Sequence, residues 1–242
     1  MSVTSLNSLK TALPQDQRVK KLLNAAVVHH QNSRFAEAGS LYKEVCGIEP
    51  DNHLALQLLG ALAAQTGQME SSLKLLSKAI SLSPNYVDAL SNRGNVLQKL
   101  GRFDEAIKDY NKAISFKPDY VDALHNRGTA LKELKRFDEA IADYSKAISL
   151  KPDYADIFIN RGVALKELRR FDEAMQDFDR ALSLRADNFA ALNSRGVALQ
   201  ELGHFDEALQ SFEKAISLEP DHVNTHWNKS LLLLKQGEFT SG

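Results

Sequence analysis

RFDEA occupies residues 102–106, 136–140 and 170–174, and HFDEA follows at 204–208. Each copy begins 34 residues after the one before, and KPDY at 117–120 and 151–154 keeps the same interval. Residues 87–120 and 121–154 are identical at 25 of 34 aligned positions, a level that chance does not produce. A period of this length marks an architecture in which one small unit stacks on its own copies. The fold is therefore to be read from the unit.

Each unit reads as two helices. In the copy at 121–154, Leu124, Gly128, Leu131 and Leu134 recur at spacings of three and four, the helical period. Lys135, or glycine in the copies with Gly101 and Gly203, stands where the first helix should end. The second helix should open at Phe137-Asp138-Glu139, with Asp138 capping free backbone N–H groups and Glu139 suiting the positive end of the dipole. Ala140, Tyr144, Ala147 and Ile148 form its apolar stripe, and Pro152 ends it. Small residues at Gly128, Ala140 and Ala147 allow the paired helices to approach closely.

These residues resemble the tetratricopeptide repeat family. The match rests on Leu90, Gly94, Leu97, Ala106, Tyr110, Ala113 and Pro118, and on the equivalent Leu124, Gly128, Leu131, Ala140, Tyr144, Ala147 and Pro152. A third copy keeps Phe158, Gly162, Leu165, Ala174, Phe178 and Ala181, with Ala186 in place of proline, and a fourth keeps Leu192, Gly196, Ala208, Phe212, Ala215 and Pro220. Two weaker copies precede them. The resemblance implies an all-α fold, a right-handed α-α superhelix or solenoid of stacked helix-turn-helix units. On this reading 1–18 is a loose or partly helical lead-in, and 19–222 holds six repeats (19–52, 53–86, 87–120, 121–154, 155–188 and 189–222). Residues 223–242 carry the first helix of a seventh unit that is either incomplete, because the chain was cut from a longer protein, or a solvating cap.

The resemblance also implies a concave groove lined by the first helices, and positions there that packing does not explain are the candidates for ligand contact. The sixth place reads Asn24, Leu58, Asn92, Asn126, Asn160, Ser194 and Asn228. Asparagine is a poor helix former, so its recurrence in mid-helix calls for a reason. A side-chain amide both donates and accepts, so a ladder of them can hold the backbone of an extended peptide. A similar ladder lines O-linked N-acetylglucosamine transferases and armadillo-type import receptors. The alternative is that these amides face solvent. Asp88 and Asp122 at the second place, His125, Ile159, Asn193 and Trp227 at the fifth and Thr129 at the ninth complete the expected groove. It grows more apolar toward Ile159, Trp227 and Leu231, which predicts an apolar stretch in the partner. Acidic and amide side chains stand where tail-binding members of the family carry a basic clamp. Arg93, Arg127, Arg161 and Arg195 form a second ladder. They either pair internally, with Asp88, Asp122 and Asp156 or with Asp109, Asp143 and Asp177, or they read acidic ligand groups.

The remaining signals are bland. Thirty basic residues against 31 acidic ones leave a net charge of −1, with no global attraction to nucleic acid or to an anionic membrane. The longest apolar run near the end of the chain, Leu231 to Leu234, is far too short for a membrane span. No secretory signal opens the chain, and one cysteine, Cys46, cannot form an internal disulfide, which fits a reducing, cytoplasmic setting. Cys46 reads as a core thiol, His29 and His30 as structural, and His222 and His226 as surface or groove residues. No phosphate-binding glycine loop, metal set or catalytic constellation is present in the sequence, so no enzyme activity and no cofactor is expected. The expected function is a protein–protein interaction scaffold that binds an extended or helical peptide segment. The alternative, prompted by a resemblance of the opening and closing segments to bacterial proteins, is a substrate-presenting arm of a larger enzyme, such as a glycosyltransferase, whose catalytic domain lies beyond residue 242. Self-association through the last helix is a further expectation.

Overall fold

A computed structural model describes residues 14–237. The described residues are all-α, with no strand among them, and build a helical solenoid of thirteen helices. The chain divides into two compact units, Met1–Pro118 and Asp119–Gly242. The expected lead-in before residue 14, and the tail from 238 that would enter a further helix, lie outside the described residues.

The first unit holds α1 (Gln15–Gln31), α2 (Phe35–Ile48), α3 (His53–Gln65), α4 (Met69–Leu82), α5 (Val87–Lys99) and α6 (Phe103–Phe116). Consecutive helices pair as α1 with α2, α3 with α4 and α5 with α6, and α2 also meets α3 as α4 meets α5. The second unit holds α7 (Val121–Glu133), α8 (Phe137–Leu150), α9 (Ala155–Glu167), α10 (Phe171–Leu184), α11 (Phe189–Glu201), α12 (Phe205–Leu218) and α13 (Val223–Gln236), paired by the same rule. In this unit α7 touches α9, α9 touches α11 and α11 touches α13. The first helices therefore run along one common face.

One contact recurs through the pairs. Tyr144 of α8 is fully buried, and its ring lies where a Cβ on Gly128 of α7 would come within 2.7 Å. Gly94 stands to Tyr110, Gly162 to Phe178 and Gly196 to Phe212 in the same way. Glycine at this place lets an aromatic ring fill the space between paired helices, and each fully buried Phe contributes about 1.5–3 kcal/mol from burial alone. Between the paired helices the backbone turns through the left-handed region, at Gly67, Gly101 and Gly203, and also at Ser33, Lys135 and Arg169 with φ near 59°. Glycine meets that demand without strain, whereas the three side-chain-bearing residues incur a steric cost.

The helix starts differ from expectation. α8 begins at Phe137, one residue ahead of the expected cap, so Asp138 lies inside the first turn and makes no cap hydrogen bond. Instead Arg136, the residue before the helix, donates twice to Glu139 at 2.7 Å, as Arg102 does to Glu105 and Arg170 to Glu173. The guanidinium holds each of these carboxyls below its usual range. Side-chain caps occur on first helices: Asn52 accepts from Ala55 N and Asn188 from Ala191 N, both at 2.9 Å. Ile148 is half-buried rather than core, and so is Cys46, whose thiol is pushed up by burial and so kept from the reactive thiolate form.

Candidate functional site

The arginine ladder resolves as internal. Arg93 donates from Nε and Nη2 to both carboxylate oxygens of Asp109 at 2.7 Å, and Arg127 and Arg161 make the same bidentate contact with Asp143 and Asp177. The partners therefore sit on the second helix, not at the second place of the first. Two of these guanidiniums also reach back: Arg93 donates to Ser77 and Arg161 to Ser145, both at 3.0 Å. Those serines lie on the preceding second helix, so the arginine ties three helices together. The α11–α12 pair has Ser211 where the α5–α6, α7–α8 and α9–α10 pairs have aspartate, and Arg195 turns to Asp179 on the preceding second helix at 2.7 Å while donating to Ser211 at 2.8 Å. Desolvation raises the Asp177 carboxyl and the Arg161 contacts oppose that shift, while Asp177 holds Arg161 more firmly protonated.

The asparagine places are half-buried at Asn92, Asn126, Asn160 and Asn228, and exposed at Asn24. In the second unit the face built by α7, α9, α11 and α13 brings several candidates together. Asn160 Nδ2 lies 2.9 Å from His125 Nε2, and Lys132 Nζ donates to Asn160 Oδ1 at 3.3 Å. His125 also sits edge-on to Tyr154 and tilted against Tyr144. Thr129 donates to the His125 carbonyl at 3.0 Å and accepts from the Tyr144 hydroxyl. Asn193 accepts from Thr225 Oγ1 at 3.1 Å across α11 and α13. Asp122 is exposed on this face, and in the first unit Asp88 is exposed beside the half-buried Asn92.

One candidate is corrected. Ile159 is only 8% exposed and packs with Ala155, Phe158, Ala181 and Ala191, so it belongs to the core. Trp227, at the same place of α13, is by contrast 64% exposed. The apolar end of the face is therefore Trp227 and Leu231, and half-buried Val197 packs in the cluster around Leu232 of the same helix. His222 caps α13 by accepting from Thr225 N, and its ring meets Phe189. His30 contacts Gln65, Tyr42 and Phe35.

Burial lowers the His125 pKa, with Lys132 acting in the same direction and Asp156 and Asp122 opposing. The Asn160 amide donates to a neutral ring, and the folded chain therefore binds fewer protons at this group than the unfolded chain. The stabilisation is complete above about pH 6.5, the unfolded value, and is lost as pH falls through the lowered folded value. Urea midpoints measured between pH 7.5 and 5 should fall more steeply for the wild type than for His125→Gln, which keeps an acceptor and cannot ionise. Equal slopes would show that His125 carries no such linkage.

Among the described residues no helix is long and apolar enough to cross a membrane. Tetratricopeptide repeat models match residues 87–120, 155–188 and 189–222, a second matches 109–142, and a TPR repeat model matches 63–101 and 128–169. No curated protein matched the chain. Among solved structures, YrrB, described as a TPR protein with an unusual peptide-binding site, is 21% identical, covers 78% of this chain and 97% of its own, and superposes with a TM-score of 0.67. PilF of Pseudomonas aeruginosa is 16% identical with a TM-score of 0.80, over 90% of this chain and 99% of that one. MamA is 23% identical with a TM-score of 0.63, over 69% and 97%. These likenesses are ones of fold. The family models run without a gap from residue 63 to residue 222, more than half of the chain, and with the glycine–aromatic pairs they show that it belongs to the tetratricopeptide repeat family.

Proposed function

We propose that this protein is an interaction scaffold whose first-helix face holds an extended peptide segment of a protein partner. The observation that carries the reading is the pair of half-buried amides at Asn126 and Asn160 on the touching helices α7 and α9, with a third at Asn228 on α13 beyond Ser194 of α11. Each side chain is partly open to solvent, and an amide can make more hydrogen bonds than the one at each end of Asn160, so its double hydrogen-bonding character suits a peptide backbone. Trp227 and Leu231, exposed at one end, would take an apolar side chain of the partner. The peptide-binding site named for YrrB supports the same use of this fold. On this reading residues 19–222 are six repeats and 223–242 begin a seventh.

Two variants test it. Asn126→Ala with Asn160→Ala removes two rungs. Alanine is the better helix former, so its gain partly offsets the lost Asn160 hydrogen bonds to His125 and from Lys132, and the melting temperature should fall only slightly. Binding of a partner recovered with the full chain should weaken about tenfold or more, because net hydrogen bonds of roughly 1 kcal/mol are lost at each rung. Trp227→Ala should cost at least as much, as buried aromatic anchors do. Unchanged affinity in both variants would exclude this face as the binding surface.

A further inference from the structure

A cleft of about 470 Å³ opens between α4, α5 and α6 in the first unit, remote in kind from the amide row. Leu73 and Leu97 supply its apolar lining, and five basic against two acidic side chains give it a net charge of +3. The scaffold accounts for four of those charges: Arg93 is paired with Asp109, and Arg102 with Glu105. Lys74, Lys108 and Lys112 remain, and none of them has an ion-pair partner among the described residues. For Lys112 the sequence gives the reason. Lys78 and Lys214, at the same place in their helices, pair with Asp51 and Asp187 on the turn 27 residues back, whereas the residue at that offset from Lys112 is Asn85.

The chain contains its own control. Two repeat periods further on, in the second unit, the arginine and carboxylate places are kept as Arg161, Asp177, Arg170 and Glu173. Yet Ala142 stands for Lys74 and Gln176 for Lys108. Packing of the repeat therefore does not require these two lysines, and their presence gives the lining its net positive charge beside Leu73 and Leu97. We propose that this cleft binds an acidic peptide segment, with carboxylates at alternate positions meeting the three ammonium groups.

The spacing favours a peptide over a compact phosphate. Lys108 and Lys112 are one turn apart on α6, about 6 Å of rise, and carboxylates two residues apart on an extended strand are about 6.6 Å apart on one side. Both arginines are already committed to carboxylates, so no free planar fork is left to focus on one phosphate. Lysine ammoniums are separate point charges on flexible stems and suit a string of carboxylates.

The test is fluorescence anisotropy of the full chain with a labelled peptide of alternating glutamate and alanine. The variant is Lys74→Ala with Lys108→Gln, which installs residues that the second unit already carries at these places. Retained far-UV circular dichroism would confirm folding. Affinity should fall about tenfold, the size expected for two partly exposed ion pairs, and a peptide of glutamine and alanine should bind no better to the wild type than to the variant. Asn126→Ala with Asn160→Ala should bind the acidic peptide as the wild type does, which separates this cleft from the groove reading. Unchanged affinity in the lysine variant, or loss in the asparagine variant alone, would overturn the proposal. So would displacement of the peptide by inorganic pyrophosphate at concentrations below those at which unlabelled peptide competes, since the site would then be one for phosphate.

Discussion

Gly128→Ala is expected to destabilise the protein by about 1–3 kcal/mol, although alanine is the better helix former by about 0.8–1 kcal/mol. The added Cβ would sit 2.7 Å from Cε1 of Tyr144 and 3.0 Å from Cδ1. That ring is fully buried and its hydroxyl is held by Thr129, so it cannot swing aside cheaply. Gly47 provides the contrast: it is also helical, in α2, and a Cβ there meets nothing within 4 Å. Gly47→Ala should therefore raise stability by about 0.5–1 kcal/mol. Urea unfolding of both variants checks the signs, and a shared sign would show that helix propensity or packing alone governs these places. In a repeat array each unit leans on its neighbours, so amide exchange should accelerate first in α7 and α8. Tyr144→Leu should partly relieve the alanine clash, giving a favourable coupling between two changes that are each harmful alone.

That pair also shows what the sequence could and could not reveal. The glycine and the aromatic recur together every 34 residues, so the helix pairing and its small-residue contact were legible from the period. The turn residues were legible for the same reason, because Lys135 and Arg169 stand where Gly101 and Gly203 stand, and all four adopt positive φ. Periodicity fails where a choice depends on side-chain reach. Asp122 and Asp143 recur with the same period, so only coordinates distinguish the second as the partner of Arg127. Asp138 looks like a cap because aspartate caps helices, yet the helix starts one residue earlier and the longer arginine reaches over the first turn to Glu139. Ile159 and Trp227 hold the same repeat place and differ only in what covers them, which no local pattern encodes. The lysine cleft was legible in principle as a departure from the period, at Lys74 and Lys108, but its charge acquires meaning only once the neighbouring arginines are seen to be neutralised.

The arginine tie leads to the other large effect. Asp177→Ser should destabilise the second unit by about 1.5–3 kcal/mol, the scale of hydrogen bonds to charged groups. Asp177 is nearly buried and Arg161 is less than a quarter exposed, so solvent does not replace what is lost. Serine is the residue that α12 carries at this place, as Ser211, where Arg195 keeps a carboxylate by turning to Asp179 one helix back. Arg161 has no such recourse, because Ser145 occupies the matching place. Supplying the carboxylate there, as Asp177→Ser with Ser145→Asp, reproduces around Arg161 the arrangement that Arg195 has with Asp179 and Ser211. The double variant should recover more than half of the loss, while Ser145→Asp alone should change stability little because Arg161 is already satisfied. Urea midpoints of the three variants decide the matter. Failure of the second carboxylate to rescue would mean that the buried position of Asp177, not the charge that Arg161 finds, is what holds these helices in register. Rescue would show that the tie is interchangeable between a helix and its predecessor, which is how the array tolerates a missing aspartate at Ser211 without losing its stacking.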